Sequence, residues 1–198
     1  MAVFTPVSEE LAASLLTELN LGQLTELKGI EGGIENTNYF ATTDQGAYVL
    51  TLFERLTHEQ LPFYLFLMKH LADKGIPVPN PAANSGGDIL HTVSGKPAAV
   101  VNRLNGKSQL SPEVAHCAQL GMMLARMHLA GADFNRSQPN LRSLAWWNET
   151  APVVMPFWIK PKQLCCKPSW RTKITLRKVR LIKAFPKGPC MPICFVTM

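Results

Sequence analysis

The sequence predicts an α+β fold, in which an antiparallel sheet of five strands carries one inserted helix and is followed by a second long helix. Short segments of alternating apolar and polar residues predict the strands, and turn residues such as Asp44-Gln45-Gly46 separate them. Apolar residues at helical spacing occur after the third strand and again after the fifth. A sharp change of composition after Phe157 confines this pattern to the first part of the 198 residues.

The first predicted element is an amphipathic helix at Thr5–Asn20, for which Ser8 is the expected N-cap. Strands are predicted at Leu24–Ile30, Thr37–Thr43, Ala47–Phe53, Ile89–Thr92 and Ala98–Leu104, with a turn at Ser94-Gly95-Lys96-Pro97. The inserted helix should cover Glu59–Lys74, and an extended, proline-bearing connector should follow it. The last helix should cover Pro112–Ala130 with Ser111 as its N-cap. Its predicted buried side chains are Leu120, Met123, Leu124 and Met127.

Charge divides the chain into two parts of different character. Met1–Phe157 contain ten Lys and Arg against fourteen Asp and Glu, a net charge of −4. Trp158–Met198 contain ten Lys and Arg and no acid, a net charge of +10, together with four of the five cysteines. The single cysteine of the first part suits a reducing compartment, and its longest apolar run, Leu61–Met68, is too short to span a bilayer. We therefore expect a cytoplasmic protein with no membrane anchor.

The order of the elements is that of the small lobe of a kinase-like fold, followed by the first helix of its large lobe. Four consecutive blocks resemble the bacterial homoserine kinases of the aminoglycoside phosphotransferase and choline kinase superfamily. The blocks are KGIEGGIENTNYFATTDQGAYVLTLFE, LPFYLFLMKHLADKGIPVPNP, SGKPAAVVNRLNGKS and LGMMLARMHLAGADFNRSQPNLRSLAW. The resemblance covers nearly all of Met1–Phe157. It implies a small lobe at 1–104, then a linker and the start of a helical large lobe at 105–157.

The resemblance also implies an activity and its ligands. Members of the family transfer the γ-phosphate of ATP to the hydroxyl of L-homoserine, with Mg²⁺. The glycine-bearing hairpin that should face the phosphates contributes Gly32, Gly33, Asn36, Thr37 and Asn38. The strand between the lobes, Val100–Arg103, should offer backbone groups to adenine, with Val101 and Asn102 as the expected contacts. A glycine-rich turn without a ligand is the alternative for the hairpin.

The third strand departs from the family pattern. Thr51 stands where kinases of this superfamily commonly place a Lys or Arg against the α- and β-phosphates, so the usual Lys–Glu pair cannot be assigned. Glu59 is the only acid near the start of the next helix, and a solvated carboxylate in the first turn is the role we expect for it. We expect His128 to cap or pack rather than to catalyse, and Trp146 and Trp147 to belong to the core of a large lobe.

The family's catalytic segment, H-x-D-x-x-x-x-N, is absent from this reading frame. If each codon is read from its third base onward, the nucleotides that encode Cys190–Met198 can instead encode His-Ala-Asp-Leu-Phe-Arg-Asp-Asn. A prespecified octamer fits by chance with a frequency on the order of 10⁻⁸ to 10⁻⁷. The same shift converts the residues after Phe157 into an acid-containing helical sequence. We therefore interpret 158–198 as an out-of-frame tail that forms no domain, caused by a real lesion or a reading error.

The tail admits two other interpretations. Its cations, with Trp158 and Trp170 among them, could form a nucleic-acid patch. Cys165, Cys166, Cys190 and Cys194 could be half of a zinc site, although adjacent cysteines are poor ligand spacing and the tail has no His. The frame argument favours neither a specific nucleic-acid site nor a metal site.

Two classes of function remain. The first is an ATP-dependent homoserine kinase by descent, with its catalytic residues absent here. The alternative is a non-enzymatic nucleotide-binding remnant, or a phosphotransferase of the same superfamily that acts on another small hydroxyl compound. The residues leave the oligomeric state and the acceptor undecided.

Overall fold

A computed structural model describes residues 4–31 and 34–157, and it confirms the predicted α+β fold. The strands are β1 (Leu24–Gly29), β2 (Asn36–Thr43), β3 (Ala47–Phe53), β4 (His91–Val93) and β5 (Lys96–Asn102). The helices are α1 (Glu9–Glu18), α2 (Leu61–Asp73), α3 (Val114–Ala130) and α4 (Leu144–Val154), and a 3₁₀ turn covers Met155–Phe157. All strand pairs are antiparallel, in the order β1-β2-β3-β5-β4.

Contacts divide the described residues into two compact units, the first ending at Arg136 and the second beginning at Ser137. The first unit therefore includes α3, which the predicted boundary at residue 104 assigns to the next domain. The predicted tail, 158–198, lies outside the described residues.

The N-cap of α1 is confirmed, because the backbone N–H of Leu11 donates to Oγ of Ser8 at 3.3 Å. The turn predicted between β4 and β5, Ser94-Gly95-Lys96-Pro97, is two residues longer than the observed one. Ser94 and Gly95 both have positive φ, 50° and 73°, and two such residues complete a tight hairpin whose twist matches that of the strands. Lys96 and Pro97 therefore belong to β5.

Two predictions for α3 were wrong. The helix begins at Val114 rather than Pro112, because Glu113 and not Ser111 is the N-cap, and the N–H of Glu113 donates to Nδ1 of His116 at 2.9 Å. None of its side chains is buried, and Leu120 is 50% exposed. Burial of a helix face requires a second surface, and sequence periodicity shows only which face is apolar.

The two faces of the sheet pack against different helices. We call the face covered by α1 the outer face. The buried apolar cluster between this face and α1 consists of Ala12, Leu15, Leu16, Leu19, Tyr39, Ala41, Leu50, Leu52, Val93, Ala98 and Val100. The opposite, inner face packs against α2 through Ala99 and Phe53, which lie in a cluster with Leu61 and Leu65. Alternation along the strands assigns every second residue of β2, β3 and β5 to the inner face.

A hydrogen-bonded cluster, which we call the N-terminal clamp, fastens the segment before α1 to the outer face. Oγ1 of Thr37 accepts from the N–H groups of Phe4 and Thr5 at 3.0 and 3.1 Å. The same hydroxyl donates to Oε1 of Glu54 at 2.6 Å, and Lys96 forms an ion pair with Oε2 of Glu54. Thr37 is fully buried, so each of these bonds replaces a lost bond to water.

The end of α3 and the residues that follow it are attached to one stripe of the surface of α2. Phe63, Phe66, His70 and Lys74 recur at helical spacing on this stripe. Nζ of Lys74 donates to the carbonyl oxygen of Ala130 at 2.8 Å and also pairs with Asp133. The hydrogen bond from Lys74 lowers the pKa of Asp133 below its usual value. The Phe63 and Phe134 rings meet edge to face at 5.8 Å.

We predict that Thr37→Val destabilises the protein by about 1–3 kcal/mol, because the clamp loses the hydroxyl that serves Phe4, Thr5 and Glu54. The measurement is the free energy of unfolding from urea titrations followed by circular dichroism. Thr25→Val is the matched control, because its hydroxyl bonds the Thr42 carbonyl at an exposed position and should cost less than about 0.5 kcal/mol. Equal effects of the two substitutions would contradict the role of the clamp.

The lowered pKa of Glu54 leads to a prediction of how the stability of the fold depends on pH. Burial by itself raises the pKa of Glu54, but hydrogen bonds from Lys96, Thr37 and Thr5 outweigh it, and the pKa is lowered below the usual value. A carboxyl with a lowered pKa in the folded state stabilises the fold above its unfolded pKa of about 4.3, and this contribution is lost as the pH falls through the folded value.

The stability difference between the wild type and Glu54→Gln should therefore shrink between pH 6 and pH 3. Lys96→Met should reduce the same pH dependence while keeping the carboxylate. Urea titrations at several pH values measure both effects, and a difference that does not change with pH would contradict the assignment.

Candidate nucleotide site on the inner face of the sheet

Cross-strand pairing arranges the inner face in two rows. In the first row Phe40 of β2 pairs with Val49 of β3, which pairs with Val101 of β5. In the second row Asn38 pairs with Thr51, which pairs with Ala99. The first row is apolar and lies toward the end of β5, whereas the second is polar and lies toward the hairpin between β1 and β2. An apolar row beside a polar row suits a ligand with an apolar part and a polar part.

The polar row carries no charge. Oγ1 of Thr51 donates to Oδ1 of Asn38 at 2.8 Å, and Nδ2 of Asn38 lies 3.4 Å from the carbonyl oxygen of Asn36. The hydroxyl of Thr51 thus orients the Asn38 amide so that its NH₂ group points toward the start of β2. Asn36 and Asn38 offer neutral donors at the position where a Lys would offer a cation.

The predicted phosphate-facing residues do not all share one face. Gly32 and Gly33 lie outside the described residues, between β1 and β2. The side chain of Thr37 is on the outer face, in the N-terminal clamp, because it alternates with its two neighbours. Only its main chain can therefore approach a ligand on the inner face.

At the end of β5, the main chain of Val101 is committed to the sheet. The N–H of Arg103 donates to the carbonyl oxygen of Ala47 at 2.9 Å, so the antiparallel alternation makes Val49 and Val101 the next hydrogen-bonded pair. Val101 also forms a bridge with Pro81 on its other side. Main-chain contacts to a ligand would have to come from the residues at the strand end.

Asn102 ties the strand end to the connector after α2. Its Oδ1 accepts from the N–H of Asn80 at 2.6 Å, and its own N–H lies 3.4 Å from the Asn80 carbonyl oxygen. Oδ1 of Asn80 is buried and has no hydrogen-bond partner among the described residues. The side chain of Asn102 therefore fixes the connector, and its carbonyl is the group that remains to be considered for a ligand.

Sequence reasoning considered only the backbone of Arg103 and missed the role of its side chain on this face. The guanidinium carbon of Arg103 lies 4.2 Å from the centroid of the Phe40 ring. The signal was present, because Arg103 follows Val101 by two residues and so has the same side-chain direction in an extended chain.

The lysine and glutamate that do pair in this lobe are Lys96 and Glu54, and they lie on the outer face rather than beside Thr51. Glu59 is exposed and precedes α2. The hydrogen bond from Thr57 lowers the pKa of Glu59. Residues 53–59, together with Lys96 and Pro97, line an open cavity of 370 Å³, and none of the residues predicted to contact the nucleotide lines it.

The described residues offer no metal centre, because no group of three His, Cys, Asp or Glu side chains within 4–31 and 34–157 is placed to hold an ion. In the same part of the chain, no helix combines the length and the apolar character needed to cross a bilayer.

His128 is exposed on the last turn of α3, and Trp146 and Trp147 contact each other edge to face at 5.5 Å in the second unit. Trp147 is exposed, so the core predicted around it is not formed by the described residues.

Curated relatives match the chain closely over its first part. A homoserine kinase of Polaromonas naphthalenivorans is 69% identical over 157 residues, which cover 79% of this chain and 50% of that protein. A homoserine kinase of Burkholderia multivorans is 48% identical over 190 residues, covering 96% of this chain and 57% of that protein. The chain spans about half the length of the curated relatives it matches.

Solved structures show the same fold. Amicoumacin kinase hAmiN, in complex with AMP-PNP, Ca²⁺ and Ami, superposes with a TM-score of 0.58 at 17% identity, over 85% of this chain and 54% of that one. Spectinomycin phosphotransferase APH(9)-Ia, in complex with ADP and spectinomycin, gives 0.53 at 16% identity, over 73% of this chain and 45% of that one. The sheet and its inserted helix are therefore a kinase-like small lobe. The model of the phosphotransferase enzyme family (APH) matches residues 26–159, more than half of the 198, and the chain belongs to that family.

Proposed function

We propose that this chain is the nucleotide-binding part of an ATP-dependent homoserine kinase, which phosphorylates the hydroxyl of L-homoserine. The observation that carries the proposal is the 69% identity over 157 residues to a protein named homoserine kinase. The inner face supports it, because its two rows match the two chemical parts of a nucleotide.

In this proposal the base of ATP lies at the apolar row, near Phe40 and Val101, and the carbonyl of Asn102 at the strand end is the main-chain group offered to it. The phosphates lie toward the hairpin, where Gly32, Gly33 and the main chain from Asn36 to Asn38 would approach them without bulky side chains. The NH₂ group of Asn38, oriented by Thr51, would donate to a phosphate oxygen. A nucleotide bound with its base at the apolar row and its phosphates toward the hairpin would extend its γ-phosphate past the edge of the small lobe.

The described residues do not fit the Mg²⁺ that the family implies. The inner face has no cluster of carboxylates within the described part of the chain, and Mg²⁺ prefers such oxygen ligands. The residues that position the acceptor hydroxyl and bind the metal in the family stand in the H-x-D-x-x-x-x-N segment, which this reading frame lacks. The chain therefore supplies nucleotide orientation and no step of transfer.

A non-enzymatic nucleotide-binding product is the alternative that this absence favours, and an acceptor other than homoserine is the alternative within the superfamily. A specific nucleic-acid site is not part of the proposal, since no described residue supports one. The cytoplasmic location remains a prediction from composition.

We predict that the 198-residue chain has no measurable homoserine kinase activity, because positioning of the nucleophile and neutralisation of charge each contribute several kcal/mol to phosphoryl transfer. Restoring one nucleotide near the Phe157 codon should restore turnover, measured as ADP release that depends on homoserine, and growth of a threonine-requiring host. The matched control is restoration of the same frame with the newly encoded catalytic Asp replaced by Asn. Turnover by the 198-residue chain itself would show that its catalytic groups lie in the described lobe.

We predict that Asn38→Asp weakens binding of ATP far more than binding of adenosine, because a carboxylate replaces a neutral donor beside the phosphates. Isothermal titration with the two ligands measures the difference. Asn148→Asp makes the same change of charge at an exposed position of α4, and it should leave both affinities unchanged. An equal loss for ATP and adenosine would place the phosphates away from Asn38.

A further inference from the structure

Arg103 has an arrangement that the fold of the sheet does not explain. It is the first residue after β5, its N–H is held by the carbonyl oxygen of Ala47, and its side chain is exposed. The guanidinium lies over the ring of Phe40 at 4.2 Å. Arg103 takes part in none of the ion pairs that the described residues form. The positively charged side chain of Arg103 therefore packs on the aromatic ring of Phe40 at the edge of the inner face.

The apolar row explains why this contact bears on a ligand. Val49 and Val101 are buried, whereas Phe40 is only half-buried. Phe40 is therefore the member of the row whose surface a planar ligand can reach, and the guanidinium occupies the space above it. Lys28, the β1 partner of Phe40, is a second exposed cation next to this ring.

We propose that Arg103 is a positioning residue that closes over a planar heteroaromatic base stacked on Phe40. The proposal rests on the proposed function, because the base is that of the bound nucleotide. In this structure the guanidinium lies over Phe40, and when a base binds it moves onto the outer surface of the base.

The chemistry of the two groups favours this exchange. A guanidinium is planar and stacks on aromatic faces with its N–H groups directed outward in the plane. One stacked contact, between Arg103 and Phe40, is replaced by two, since the base contacts the ring on one side and the guanidinium on the other. Stacking of a base on a protein side chain is stronger than an exposed contact between a cation and a ring, so the exchange favours the complex.

The experiment compares a series of ligands on the full 198-residue chain. Adenosine, AMP, ADP, ATP and inorganic triphosphate are titrated calorimetrically into the wild type, Arg103→Ala and Lys28→Ala at two salt concentrations. Arg103→Ala should weaken adenosine and all three nucleotides by a similar factor, about three- to tenfold, with little dependence on salt. Triphosphate should be unaffected. Lys28→Ala, the matched control, removes a neighbouring cation without removing a stacked group, and it should leave adenosine binding unchanged.

Each other outcome overturns the inference in a distinguishable way. A loss that grows from adenosine to ATP and fades with salt would make Arg103 a phosphate ligand. Unchanged or tighter binding by Arg103→Ala would show that the guanidinium does not contact the base. Failure of the wild type to bind any adenine ligand would overturn the proposed nucleotide site itself. If Arg103→Ala does not fold, as judged by circular dichroism, Phe40→Leu removes the opposite wall and should produce the same uniform loss.

Discussion

Glu54 joins three separated parts of the chain, and the arrangement of the sheet depends on this carboxylate. It accepts hydrogen bonds from Thr5 in the N-terminal segment and from Thr37 in β2, and it pairs with Lys96 in β5. These contacts hold the three side chains on the outer face. A strand has a side-chain period of two, so the neighbours Asn36 and Asn38 must then lie on the inner face. The clamp on one face thereby fixes which side chains a ligand meets on the other.

The polar row of the inner face, at Asn38 and Thr51, is unusual for its lack of charge. Thr51 and Asn38 are hydrogen-bonded to each other where a kinase commonly has a cation, and Lys96 is paired with Glu54 on the opposite face. A neutral donor binds a phosphate less strongly than an ammonium does, since charge-assisted hydrogen bonds are roughly twice as strong. Under the proposed function, more of the nucleotide affinity must then come from the base, at Phe40, and from main-chain groups of the hairpin.

The C-terminal end of α3 is held by α2, whereas the apolar face of α3 is not buried among the described residues. The segment after α3 is well attached to α2 through Lys74, His70 and their partners Ala130 and Asp133. The remainder of α3 buries no side chain, although the helix is rich in Leu and Met. Relatives of this chain are about twice the length of the part that matches them. An apolar helix face of this kind is suited to packing against further helices.

The sequence by itself determined the α+β class, the bounds of β3, the N-cap at Ser8 and the resemblance to a kinase family, because each depends on local pattern or on residue identity. It also showed the change of composition at Phe157. Only the tertiary structure decided that Thr37 faces away from the ligand, that Lys96 pairs with Glu54, and that Arg103 covers Phe40. The physical reason is that strand register and the packing of α1 choose the face and partner of each side chain. Those partners lie from 17 residues apart, for Thr37 and Glu54, to 63 residues apart, for Phe40 and Arg103. Such separations are beyond the range over which local periodicity carries information.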